Sequence, residues 1–472
     1  MTLMVAALLA DIHHAAAAAQ IDVPALLRAV EARRIEYGVA GVGLTLVSRE
    51  RVLWTGGLGV TDWNRPVPVS ADTLFRVGSI TKAFTALALL LLEDRGRLRL
   101  DDPVERAIGP GHYASRWETE APVTLAQLLE HTAGLHDLTR TQFSHSDAKP
   151  LTLEEALRVE PDTRILAWKP GLHAVYSNIG YGLAGRALER AASERYEDFI
   201  GREFLAPLGM VDSGFFLDGR AAAALATGYD TDARSVLPYW NMLYRPFGGL
   251  NATPRDMAAF VQLLMNHGRH DNRQLIPAEA VARMLTPRTS LAAHNGLTFG
   301  YGLGIYQSFR RDVRFYGHGG DGDGYLAHFA YDPSSGLGYF VVINVFRGNA
   351  LRAIRREIES AIVEQGVRTP SPAVTPASLP LEALELLAGR YELAAWRFPW
   401  TTEAERTAQA IEIRRDGNRL VTVSADGSRS ALIPVTGHRF RRENEPDATS
   451  AFVYDAGMLY FQEDESYVRV SH

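Results

Sequence analysis

Apolar residues recur at helical spacing over Val23–Tyr37, with Arg and Glu between them, which predicts an opening helix. Two strand-like runs follow, Val42–Val47 and Val52–Thr55, joined by the charged turn Ser48–Arg51. Ser79–Arg95 reads as a helix stopped by Gly96. From Ala83 to Leu92 it is apolar almost all round, so its expected place is the interior. Between about Thr124 and Leu291 short helical patterns alternate with loops, as at Thr124–His131, Leu153–Val159, Tyr181–Glu194 and Pro254–Gly268. Strand patterns return at Tyr301–Phe309 and Val313–Tyr316. A hairpin is then predicted from Tyr325–Tyr331 and Gly338–Phe346 around Asp332–Gly336. Asn349–Gln365 closes this part as an amphipathic helix.

Strands joined by tight turns argue for an antiparallel sheet, with the first and last helices on one face and a helical region inserted between the strands. The expected fold class is therefore α/β: an antiparallel sheet flanked by helices, with an all-helical subdomain. The stretch Arg368–Pro380 holds four prolines among small residues and reads as a linker. Beyond it the pattern is strand-like throughout: Gly389–Glu392, Ala410–Arg414, Leu420–Val423, Leu432–Val435, Ala451–Tyr454, Met458–Gln462 and Tyr467–Val470, with Asp-Gly turns at Asp416 and Asp426. This predicts a small all-β barrel or sandwich. The expected division is an extension over residues 1–22, a catalytic unit over 23–367, a linker over 368–380 and a β unit over 381–472.

Composition narrows the chemistry. The chain of 472 residues contains no cysteine, which excludes disulfides, thiol nucleophiles, thiolate zinc sites and iron–sulfur clusters. No cofactor or metal is expected, since H-E-x-x-H and acidic calcium-loop patterns are absent. A net charge of −6 gives no electrostatic reason to expect nucleic acid as a partner. No apolar run is long and clean enough to predict a membrane span. The first 22 residues permit either a cleaved signal segment or an extra helix, so a periplasmic or secreted site and a cytoplasmic one both stay open. Oligomeric state is not legible. Only three lysines occur, Lys82, Lys149 and Lys169, and one of them stands three residues after a serine.

That serine opens the first candidate motif, Ser79-Ile80-Thr81-Lys82. At a helix start, residues i and i+3 share a face, and free amides stabilise negative charge near the serine oxygen. A lysine buried beside it can be tuned toward base chemistry by desolvation. The second is Tyr176-Ser177-Asn178. A phenol close to a lysine cation is expected to ionise more readily, and an asparagine amide can donate to a substrate carbonyl. The third is His318-Gly319-Gly320, where glycines allow close backbone approach and the amides of Asp321 and Ser79 can form an oxyanion hole. Each alone also has a structural explanation: a helix cap, a core tyrosine, a glycine-rich turn. His131 and His136 read as structural residues of the H-T-A-G-L loop. Trp240, in the aromatic run Tyr239–Tyr244, is a candidate lining residue of an acyl pocket. No G-x-S-x-G elbow surrounds any serine.

Taken in order, S-x-x-K, Y-x-N and H-G-G resemble the serine β-lactamases and DD-peptidases of the class C type, with the related family VIII esterases and D-aminopeptidases. LRLDDPV at Leu98–Val104, LLEHTAGL at Leu128–Leu135, PFGGLNATPRDMAAF at Pro246–Phe260 and YGLGI at Tyr301–Ile305 extend the resemblance over about Val39–Phe346. It implies Ser79 as nucleophile, Lys82 as its proton partner, Tyr176 as general base and later acid, and Asn178 as a substrate-orienting residue. His318 takes the place usually held by a lysine, and the Ser79 and Asp321 amides hold the oxyanion. The final strands resemble a lipocalin-like appendage. The implied activity is hydrolysis of small esters, amides or peptides through an acyl-enzyme, with weak lactam turnover because a histidine replaces a permanent cation. The alternative is a penicillin-binding or sensor-type protein that is acylated with little turnover.

Overall fold

A computed structural model of the chain describes residues 21–143, 149–366 and 377–470. The extension expected over 1–22 therefore lies outside the described residues except for Ile21 and Asp22, and of the expected linker only 377–380 are described. The Asp22 carboxylate accepts from Ala25 N at 2.9 Å and caps the first helix, α1 (Val23–Glu36).

The central sheet contains β1 (Gly41–Ser48), β2 (Val52–Gly59), β3 (Tyr306–Arg310), β4 (Val313–Gly322), β5 (Tyr325–Asp332) and β6 (Leu337–Ile343). Its order is β2-β1-β6-β5-β4-β3, and neighbouring strands run antiparallel. Period-two alternation sends the side chains of β6 two ways. Tyr339, Val341 and Ile343 join Leu26 and Val30 of α1 and Ile354 and Ile358 of the closing helix, Gly348–Gln365. Phe340 and Val342 join Phe260 and Val261 of the helix Pro254–Met265 on the other face. Helices cover both faces, which is why these central strands read as nearly continuous apolar runs.

Behind the second face lies the helical region. The helix Thr81–Asp94 buries every residue from Thr81 to Leu92, as its all-round apolarity requires. Ser79 sits one step earlier, in a 3₁₀ turn over Gly78–Ile80, rather than on the helix itself. The strand expected over Tyr301–Phe309 begins only at Tyr306, because Gly304 adopts φ +67° and packs on the carbonyl of Lys82. No helix among the described residues is long and apolar enough to cross a membrane.

The C-terminal strands close into a barrel: β7 (Gly389–Leu393), β8 (Ile411–Asp416), β9 (Arg419–Ser424), β10 (Arg429–Thr436), β11 (Arg439–Arg441), β12 (Ser450–Asp455), β13 (Met458–Gln462) and β14 (Ser466–Arg469). Ile413, Leu420, Leu432, Phe440, Phe452 and Phe461 fill it. Seven of the eight strands match runs read from the sequence. β11 does not, being three residues long with a single inward side chain, Phe440. Two helices, Leu381–Leu387 and Glu403–Ala408, correct the expectation of strands throughout.

The barrel is fastened to the first unit. Gln462 accepts from Ala292 N at 2.8 Å and donates to Leu172 O at 2.7 Å, and Ser466 Oγ meets His173 Nδ1 at 2.7 Å. The segment between β7 and the helix Glu403–Ala408 runs as an arm over the loop at His136–Asp137. There His136 Nδ1 donates to Trp396 O at 3.0 Å, and Asp137 N donates to Arg397 O at 2.7 Å. Trp396 packs edge-on against Trp168 at 5.1 Å.

Candidate active site

Gly78 and Gly320 determine where Ser79 sits. Gly78 has φ +52°, and a Cβ there would lie 2.6 Å from Asp321 N and 2.3 Å from Asp321 O. A Cβ on Gly320 would lie 1.9 Å from Val77 O and 3.3 Å from Ser79 N. The end of β4 and the turn carrying Ser79 thus meet backbone to backbone, with the Ser79 and Asp321 amides at one seam.

Ser79, Lys82 and Tyr176 converge. Lys82 Nζ lies 3.0 Å from Ser79 Oγ, and the Tyr176 phenol donates to the same oxygen at 2.9 Å. Nζ also lies 2.7 Å from Asn178 Oδ1 and 2.8 Å from Phe247 O. Lys82 is fully buried, and burial drives its pKa well below 10.5; Asp137 and Asp321 oppose the shift, and Arg397 adds to it. The surroundings suit a neutral amine. Its two N–H groups go to Asn178 and Phe247, and its lone pair faces the serine hydroxyl. Burial also pushes the Tyr176 phenol well above 10, and this outweighs the hydrogen bond to Ser79 and the Arg397 charge that pull it down. The sequence expectation of a readily ionised phenol is therefore corrected: the desolvation of a phenolate outweighs the nearby groups that favour it.

Asn178 begins the helix Asn178–Ala192, and Ser177 caps it. Besides accepting from Lys82, Asn178 donates through Nδ2 to Asp137 Oδ2 at 3.2 Å and through its backbone N to Asp137 Oδ1 at 2.7 Å. At most one of its amide N–H groups remains for a substrate carbonyl. His318 is buried. Its Nδ1 donates to Gly319 O, and its Nε2 lies 2.7 Å from Tyr301 Oη. Burial lowers the His318 pKa to about 3, so the ring is neutral near pH 7. His131 holds the Tyr motif, accepting from Ser177 N at 3.1 Å and packing on the Tyr176 ring at 4.2 Å.

A cavity of about 200 Å³ opens onto Ser79, with Asn178, Trp240, Phe247, Asp321 and Arg397 in its wall. Trp240 Nε1 donates to Asp323 at 2.7 Å, and the Arg76 guanidinium lies 4.7 Å from its ring centre. A larger cavity of about 380 Å³ lies on the far side of Tyr176, between Tyr301 and the barrel turn at Glu463–Ser466, and does not include Ser79.

Two residues at the site carried no sequence signal that was read. Asp137 is buried and accepts from Asn178, Leu138 and Arg397. Arg397 reaches over from the barrel arm, with Nε 2.8 Å and Nη2 2.7 Å from Asp137 Oδ2 and its Cζ 4.6 Å from the Tyr176 ring centre. The pair is 260 residues apart in sequence, so no local spacing reveals it.

Comparison with known proteins agrees with this architecture. A human beta-lactamase-like protein is 30% identical over 360 residues, covering 73% of this chain and 69% of its own length. Penicillin-binding protein 4 of Amycolatopsis lactamdurans is 26% identical over 374 residues, covering 77% of this chain and 95% of its own. The octameric penicillin-binding protein homologue from Pyrococcus abyssi superposes with a TM-score of 0.63 at 23% identity, over 95% of this chain and 100% of that one, and so shares the fold. The beta-lactamase family model matches residues 26–363, and the chain belongs to the beta-lactamase family.

Proposed function

We propose that the chain is a serine hydrolase that acts through an acyl-enzyme on Ser79, cleaving esters or peptide and amide bonds in the manner of a carboxylesterase or D-amino-acid peptidase. The observation that carries this reading is the convergence on Ser79 Oγ of a buried amine at 3.0 Å and a phenol at 2.9 Å. As Oγ attacks the substrate carbonyl carbon, its proton passes to the neutral Lys82. The charge gathering on the carbonyl oxygen faces the Ser79 and Asp321 amides. Tyr176, held as a phenol, gives its proton to the departing oxygen or nitrogen, and the proton on Lys82 restores it. Water then attacks the ester of Ser79, and the same transfers run in reverse.

His318 favours neutral acyl groups over anionic lactams, since a neutral ring supplies no fixed cation. Rapid-mixing kinetics with p-nitrophenyl esters test the proposal. A burst equal to the enzyme concentration followed by steady turnover is expected. A burst with no further product would instead identify an acylated sensor. Penicillin turnover should be slow, and a kcat/KM on the order of 10⁶ M⁻¹s⁻¹ would contradict the substrate reading.

A further inference from the structure

The barrel contributes a charge to the site. Its arm inserts Arg397 beside Tyr176, and the guanidinium grips a buried carboxylate, Asp137, that also holds the backbone and side chain of Asn178. Asn178 in turn accepts from Lys82. A continuous chain of contacts therefore runs from the barrel to the amine: Arg397, Asp137, Asn178, Lys82. We propose that Arg397 is a positioning residue that neutralises Asp137 and so keeps Lys82 able to accept the Ser79 proton, making the barrel a working part of the site. This rests on the role given to Lys82 above.

The coupling is electrostatic. Lys82 sits in a dry environment where charges are weakly screened. The groups facing it are Tyr176 and Tyr181 from one side, His131 and Asp137 from the loop before them, His318 and Asp321 from β4, and Arg397 from the arm. The two histidines are held neutral by burial and the two tyrosines are held as phenols. The charges left are Asp137 and Asp321, which favour an ammonium, and Arg397, which disfavours it. Of the two carboxylates, Asp137 is buried and Asp321 is exposed to water, so Asp137 acts more strongly and Arg397 offsets it directly.

Removing Arg397 leaves Asp137 to hold Lys82 as an ammonium. Removing the Asp137 charge leaves Arg397 to oppose it. The two changes must therefore move Lys82 in opposite directions, which a mere loosening of the site cannot do.

The test uses the full chain. With only three lysines present, isotope-labelled lysine side chains give a resolvable NMR titration of Lys82 without any substrate. Arg397→Gln is expected to raise the Lys82 midpoint by about one pH unit, and Asp137→Asn to lower it. The double variant should return near the parent. In parallel, the acidic limb of the ester kcat/KM profile should shift the same way, with Arg397→Gln losing on the order of tenfold on that limb. Arg397→Lys, which keeps the charge, should hold the limb near the parent value. Midpoints that stay fixed, or that move the same way in both single variants, would overturn the proposal. Midpoints that move as stated in a protein never acylated at Ser79 would uphold the coupling and reject the hydrolase reading instead.

Discussion

Two basic side chains meet at the site, and the protein treats them in opposite ways. Lys82 lies inside the buried helix, and its hydrogen-bond partners are neutral oxygens of Ser79, Asn178 and Phe247. Arg397 comes from the barrel arm, keeps 39% of its side chain exposed, and pairs with a carboxylate. Burial without a counter-charge in direct contact turns a lysine into a base, whereas a guanidinium paired with a carboxylate stays a fixed charge. On the proposed mechanism the first unit supplies the groups that move protons, and the barrel supplies one that does not.

The largest test of this contrast is on the proton-moving side. Ser79→Ala should lower ester hydrolysis by a factor on the order of 10³ or more, measured as kcat/KM. Next comes the seam that places Ser79. Gly320→Ala would push a methyl into Val77 O and should cost activity about 10²-fold, as displacements of about an ångström do. Its melting temperature should fall as well, and a variant with full activity would show that the seam does not position Ser79.

Acid should expose the buried neutral rings. His318 and His173 have pKa values lowered from 6.5 to about 3 and about 4 by burial. Between those values and 6.5 the unfolded chain binds protons that the folded chain refuses, so stability falls as pH drops. The loss is about 1.4 kcal/mol per pH unit for each such ring. Urea midpoints between pH 7 and 5 should show this slope, and His318→Gln should reduce it by one proton's share. An unchanged slope would mean that His318 titrates normally.

The smallest expected effect lies in the acyl cavity. Trp240→Ala should alter chain-length preference among p-nitrophenyl esters by about five-fold, about 1 kcal/mol, the low end of what one methylene commands. An unaltered profile would put Trp240 outside the acyl subsite.

How much of this was legible in the sequence follows from the range of each signal. Strand alternation and the all-round apolarity of Ala83–Leu92 are local, and the sheet, the buried helix and most of the barrel were readable from them. β11 was not, because Arg-Phe-Arg offers one apolar position and no period. The helix Glu403–Ala408 is marked by Thr402 and Glu405 as a reciprocal cap, a short signal set among strand-like runs. The order and spacing of Ser79, Tyr176 and His318 point to the candidate site through resemblance. The protonation of Tyr176 is not legible there, since it depends on burial rather than on neighbours in the chain. Arg397 and Asp137 meet only after the barrel docks, so no window of sequence could pair them.

The most direct measurement is peptide mapping by mass spectrometry after rapid quenching with an activated ester. A single acyl adduct is expected on the peptide containing Ser79, formed by the parent chain and lost in Ser79→Ala. Efficient hydrolysis by that variant, or an adduct carried by a different residue, would contradict it.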